Sequence, residues 1–227
     1  MNNKCIDANQ KTYRSFDLTT ICPKKKANNP CPYCYVEASR KIGFNAKALF
    51  DRRVYSGEVC RMRQVTIDKL NRMGGIRMFS FGDYEPWMDM DITRFLHDCE
   101  NRKLDVKAIT KQPEFIQRFH HSPALKVINV STDFIGHGVP WKIAIQLRCS
   151  YDKVRIRSVI TSPIEPIQAT IYNIDVLTFN HGHNGYHNFK KEDIQKMSKY
   201  TSMKGKICCL TSKCETCETK CGYKPDK

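Results

Sequence analysis

The residues of this chain best placed to do chemistry are its clustered cysteines. The stretch ICPKKKANNPCPYCYVE spaces Cys22, Cys31 and Cys34 as Cys-x8-Cys-x2-Cys. Thiolates bind zinc and iron–sulfur clusters. Three of them leave a fourth position open, which separates a catalytic metal site from a closed structural one. A helix starting after Cys34 would turn its positive N-terminal end toward anionic sulfur. The same spacing also suits a zinc site completed by a distant His or Cys. Near the C-terminus, ICCLTSKCETCETKCGY carries a second set, Cys209-x4-Cys214-x2-Cys217-x3-Cys221, with Cys208 beside the first ligand. Four thiolates in so short a span can close a tetrahedral zinc site or hold a second [4Fe–4S] cluster.

Composition sets the setting for these groups. The first residues, MNNKCIDANQKTYRSF, contain no apolar leader, so the expectation is a cytoplasmic chain. In that compartment a disulfide framework is not expected of its 12 cysteines, and clustering reads as metal or redox chemistry. Cys5, Cys60, Cys99 and Cys149 stand alone and read as small apolar residues. Nothing approaches the ~18 consecutive apolar residues of a membrane span, so no membrane partner is expected. With 41% hydrophobic and 27% charged residues the chain is globular and neither disordered nor collagen-like. Thirty-eight Lys and Arg against 23 Asp and Glu leave a formal charge of +15. Such a field favours polyanions such as nucleic acid or phosphorylated metabolites, although scattered basic residues also serve plain solubility.

The elements that must position the cysteines alternate between two periodicities. Strands are expected at RSFDLTT (14–20), IRMFSF (76–81), DVKAIT (105–110), KVINVS (126–131), VRIRSVIT (154–161) and IDVLTFN (174–180). Helical spacing follows Cys34 and recurs at 64–73, 91–103, 113–120, 141–150, 166–173 and 190–200. Six strands separated by helices predict an α/β fold with a parallel sheet. Six units fall short of the eight of a closed barrel, so a partial (β/α)6 TIM-like barrel is expected over residues 1–200. Residues 201–227 are too few and too polar for a core, and read as a short Cys-rich metal-binding tail.

In parallel α/β folds the chemistry gathers at the C-terminal ends of the strands. The polar residues expected there are Ser80, Gly82, Asp83, Thr110, Lys111, Ser131, Thr132, Asp133, Thr161, Asn180 and His181. His181, His183 and Asp133 are the candidate acid–base groups, against the plainer reading of polar loop residues. Lys111 and Arg157 could hold a carboxylate or phosphate. Trp87 reads as a core residue or as a stacking platform for a base.

CPYCYVE after an earlier cysteine resembles the cluster motif of the radical S-adenosylmethionine (radical SAM) superfamily, usually Cys-x3-Cys-x-aromatic-Cys. Tyr33 fills the aromatic place, and the first gap is eight residues instead of three. The longer gap is similar to that of small phage-type members. Further segments agree in order: MFSFGDYEP, AITKQPEFIQRF, NVSTDF and RSVITSPIEP, over roughly residues 14–185. The resemblance implies a [4Fe–4S] cluster on Cys22, Cys31 and Cys34 whose fourth iron is chelated by S-adenosylmethionine. It places Tyr33, Ser80, Phe81, Gly82, Asp83, Thr110, Lys111 and Ser131 around that cofactor. It implies reductive cleavage to a 5′-deoxyadenosyl radical, hydrogen abstraction from substrate, and an electron donor such as flavodoxin or ferredoxin. For the tail cysteines it favours an auxiliary [4Fe–4S] cluster, with zinc as the other occupant. The basic charge leans the substrate toward nucleic acid or a nucleotide-derived molecule. The rival reading is a zinc-stabilised nucleic-acid-binding protein without catalysis.

Overall fold

The computed structural model describes residues 15–18, 23, 31, 57–79, 82–162, 174–179 and 207–209. Its centre is a seven-stranded sheet in which every paired strand is parallel and the strands lie in chain order. They are β1 (Ser15–Phe16), β2 (Ile76–Met78), β3 (Val106–Thr110), β4 (Leu125–Asp133), β5 (Val154–Ile160), β6 (Val176–Phe179) and β7 (Ile207–Cys209). The helices among the described residues are α1 (Gln64–Arg72), α2 (Asp89–Asn101), α3 (Pro113–Phe119) and α4 (Trp141–Ser150), with 3-10 turns at Val59–Arg61 and Pro86–Met88.

The expected α/β class and parallel sheet are therefore present, and all six expected strands occur, several of them shorter than their apolar runs. The seventh was not foreseen. Ile207–Cys209 pairs with β6, Cys208 opposite Leu177 and Cys209 opposite Thr178. Its three residues give too little alternation to register as a strand, and pairing with a formed edge supplies what the pattern lacks. The sheet thus reaches into the segment read as a tail. The helices expected after Cys34, at 166–173 and at 190–200 lie outside the described residues.

Chain-order strands joined by right-handed crossovers keep every connecting helix on the same face of the sheet. Burial agrees with this. Strand β5 alternates strictly, with Val154, Ile156, Ser158 and Ile160 buried and Arg155, Arg157 and Val159 half-buried. On the buried face Met78, Ala108, Ile128 and Ile156 meet Ile67 and Leu70 of α1, Phe95 of α2, Phe115 of α3 and Leu147 of α4 in one core. Phe95 stacks on Phe16 with ring centres 4.0 Å apart, and this fixes the short β1 against α2. Burying a ring of this size contributes roughly 1.5–3 kcal/mol.

Local chemistry sets the helix ends. Asp89 and Asp91 in the first turn of α2 meet its positive dipole end, and Pro113 opens α3 where a missing N–H costs nothing. Helix α1 ends at Gly74 and Gly75, both at positive φ, with the Gly75 N–H donating back to the Leu70 carbonyl at 2.8 Å. The Asn71 side chain then ties the turn, donating to the Lys103 carbonyl and accepting from the Asp105 N–H. A Cβ on Gly75 would stand 2.0 Å from the Asp105 carbonyl oxygen, at φ +81. Gly75→Ala is therefore expected to cost about 3 kcal/mol or more, lowering Tm by roughly 6–12 °C in a thermal melt. A shift within a degree or two would show that β2 and β3 do not approach this closely.

Candidate functional site

The C-terminal ends of β1 to β5 collect the polar side chains. Beyond β1, Asp17 is buried and its Oδ1 stands 3.5 Å from the Gly82 N–H. Beyond β2 the chain bends at Phe79, which sits in the left-handed region at φ 61. Continued alternation would send Phe79 to the open face of the sheet. The positive φ instead turns its ring edge-on to Phe115, centroids 4.9 Å apart, inside the core. Such a conformation is strained for a bulky residue and persists only where its surroundings hold it. It opens the turn that leads to Gly82 and Asp83.

Asp83 ties this turn to β3. Its Oδ1 accepts from the Thr110 hydroxyl at 2.5 Å and the Tyr84 N–H at 2.8 Å, and its Oδ2 accepts from the Lys111 N–H at 2.8 Å. Burial pushes its carboxyl up from 3.8 to about 6, against the opposite pull of these three donors and of the Lys111 charge. The Tyr84 hydroxyl donates to Asp89 at 2.7 Å, so the turn is also fastened to the start of α2.

Asp133 organises the neighbouring strand end. Its Oδ1 accepts from the N–H groups of Ile135 and His137, folding residues 134–139 back over β4. Gly138 permits the return, because a Cβ there would lie 2.5 Å from the Thr132 Cα. The Val139 N–H then donates to the Ser131 carbonyl at 2.9 Å.

Lys111 joins these pieces to the first cysteine group. Its Nζ donates to Cys31 Sγ at 2.7 Å and to the His137 carbonyl at 3.2 Å, and lies 4.0 Å from Asp133 Oδ2. Cys31 Sγ is itself 3.9 Å from that carbonyl. A cysteine 80 residues away in sequence from Lys111 thus meets it at the strand ends. An ammonium here would balance the charge of a thiolate, so the Lys111–Cys31 pair is compatible with a thiolate-bound cluster.

Of the residues expected at the site, Cys31, Gly82, Asp83, Thr110, Lys111, Ser131 and Asp133 gather at this end of the sheet. Asp133 acts here by holding a loop. Cys22, Tyr33, Cys34, Ser80, Phe81, His181, His183, Cys214, Cys217 and Cys221 lie outside the described residues. Cys209 is placed as a strand residue only. Among the described residues no three His, Cys, Asp or Glu side chains lie together as a metal site. Cys99 is buried as expected of a small apolar residue, and burial pushes its thiol up, whereas Cys60 and Cys149 are exposed. Trp87 is 57% exposed, and Met88 takes the core position beside it.

Sequence reading missed two participants. Asp17 was legible only as a carboxylate closing the first strand. His137 contributes through its carbonyl and N–H, which any residue has, so only the Gly-His-Gly turn marked the place. No protein-family model, curated protein or solved structure matches the chain.

Proposed function

We propose that the chain is a radical S-adenosylmethionine enzyme built on a partial (β/α)6-type barrel. The observation that carries this reading is the meeting of Cys31 with Lys111 at the C-terminal strand ends, where the Asp83–Thr110 and Asp133 networks also converge. Cysteine motif, strand order and polar strand ends are three separate features, and a radical SAM scaffold accounts for them together. Cys22, Cys31 and Cys34 would hold a [4Fe–4S] cluster, which when bound supplies the electron that cleaves S-adenosylmethionine to a 5′-deoxyadenosyl radical.

The chain's own residues have positioning tasks. Lys111 sets a positive charge beside the cluster thiolate. Asp83 fixes the backbone of Lys111 and the turn at Gly82, the place where the resemblance puts the methionyl amino group. Ser131 lies at the end of β4 within the same row as Lys111, and offers a hydroxyl to the cofactor. Asp133 and Gly138 fold residues 134–139 over the strand ends, where that loop shields the site from water. The tail cysteines Cys209, Cys214, Cys217 and Cys221 would hold a second cluster or zinc, and flavodoxin or ferredoxin would supply the electron.

The direct test is product analysis after anaerobic reconstitution with iron and sulfide. Addition of S-adenosylmethionine and dithionite is expected to yield 5′-deoxyadenosine and methionine. Zinc in place of iron, with no 5′-deoxyadenosine formed, would sink the reading and promote a zinc-stabilised nucleic-acid-binding protein.

A further inference from the structure

Helix α2 carries an exposed stripe that the core does not use. Ile92, Phe95, Leu96 and Cys99 turn inward. Met90, Thr93, Arg94 and His97 recur at i, i+3, i+4 and i+7 on the opposite face, and all four are exposed. Together with Asp89 and with Arg118 of α3 they line an open groove of about 500 Å³. Trp87, in the 3-10 turn that leads into α2, is 57% exposed, and Met90 one turn further is 72% exposed. All six lining residues belong to the described part of the chain, so the charge of the groove is complete: Arg94 and Arg118 against Asp89. Asp89 is bound by the Arg118 Nε at 2.7 Å and by the Tyr84 hydroxyl at 2.7 Å. Among the described residues Arg94 enters no ion pair. Asp91, Asp98 and Glu100 lie off the stripe and line no part of the groove.

Composition says what kind of molecule covers such a groove. Trp, Met and Arg are enriched in protein–protein contacts, where a few of them carry most of the binding energy. A nucleic-acid strand needs a track of cations along its backbone, whereas here two arginines share the groove with a carboxylate. A second copy of the chain is disfavoured by like charge, since each carries a formal +15. The excess of both the groove and the chain is positive. The complementary partner is therefore an acidic protein that sets a carboxylate on Arg94 and an apolar side chain against Trp87 and Met90.

Position says which acidic protein. Helix α2 follows β2, so it starts at the strand ends where Cys31 and Lys111 meet. The groove wall is also bonded to that site. The Tyr84 hydroxyl donates to Asp89, its N–H donates to Asp83, Asp83 accepts from the Lys111 N–H, and the Lys111 Nζ donates to Cys31. We infer that this groove docks the protein that supplies the electron in the proposed function, an acidic one-electron carrier of the flavodoxin type. The carrier loses one electron and the cluster held by Cys31 gains it, with no bond made or broken. The inference rests on the proposed function for what the partner delivers; the docking itself needs no cluster.

The test drives the reconstituted full chain with two reductants: dithionite, which needs no docking surface, and a flavodoxin kept reduced by its reductase. With limiting flavodoxin, Arg94→Glu and Trp87→Ala are each expected to lower 5′-deoxyadenosine formation about 10-fold, while matching the wild type with dithionite. Both residues are exposed, so their replacement leaves the core in place. Lys103→Glu makes the same change of charge at an exposed residue beyond the far end of α2, and is expected to match the wild type with both reductants. Calorimetric titration with flavodoxin is expected to show binding that Arg94→Glu and Trp87→Ala each weaken about 10-fold, and that weakens as salt rises. Such binding without 5′-deoxyadenosine from either reductant would keep the docking surface while removing the radical chemistry. No binding of flavodoxin by the wild type, or variants that bind it and turn over as the wild type does, overturns the inference. A short oligothymidylate that binds more tightly than flavodoxin, and is weakened by Trp87→Ala, overturns it in favour of a nucleic-acid strand.

Discussion

Cys31→Ala is expected to lower the iron content of the reconstituted protein from about eight per chain to about four, and to bring 5′-deoxyadenosine formation down to background. The reason lies in the count of ligands. In the proposed site three thiolates would hold the cluster with one position open, and the loss of any one would leave two. Cys31 is half-buried and meets the Lys111 ammonium and the His137 carbonyl, so its replacement is expected to cost the metal-free fold only about 1 kcal/mol or less. A matching thermal melt of the metal-free variant would therefore assign the loss to the site. Iron falling from about four to none would support the first site and leave the C-terminal cysteines to zinc. Iron unchanged in the variant would remove Cys31 from the cluster and the proposed function with it.

Asp83→Asn is expected to change how stability depends on pH. In the unfolded chain this carboxyl titrates near 3.8 and in the folded chain near 6. The folded state therefore holds the proton more tightly. The contribution of the group is fully present below about pH 4, is lost as pH rises through about 6, and stays lost above. A shift of about 2 units corresponds to roughly 3 kcal/mol. Asparagine cannot titrate and has one acceptor oxygen for the three donors of Thr110, Tyr84 and Lys111. At pH 4.5 the variant is expected to be less stable than wild type by about 1–3 kcal/mol, from donors left unmatched. At pH 7.5 that gap is expected to close, because the wild type then carries a buried charge that the variant lacks. Urea unfolding of both proteins at the two pH values measures it. A gap that stays constant would show that Asp83 is ionised throughout.

The two expectations differ in what made them legible. Cys31 was named from its spacing to Cys34, since metal ligands at short separation carry their own geometry. Asp83 was named from its place after an apolar run, and nothing in that run announced three donors. The strands were legible where alternation or a long apolar run marked them, as in VRIRSVI of β5. They were read too long where the backbone turns away early, as at Phe79, whose positive φ no apolar pattern reveals. Strand β7 was missed because three residues acquire strand character from the edge they join.

By itself, the sequence determined the α/β class, the order of its elements, the cationic balance and the two cysteine groups. These follow from periodicity, composition and short spacing, all of which are local. Only the tertiary structure decided that Cys31 faces Lys111, that Asp83 binds the end of β3, and that Arg77, Lys107 and Arg157 share one face. Those are contacts between residues tens of positions apart. They depend on strand register, where a slip of one residue would turn each side chain to the opposite face.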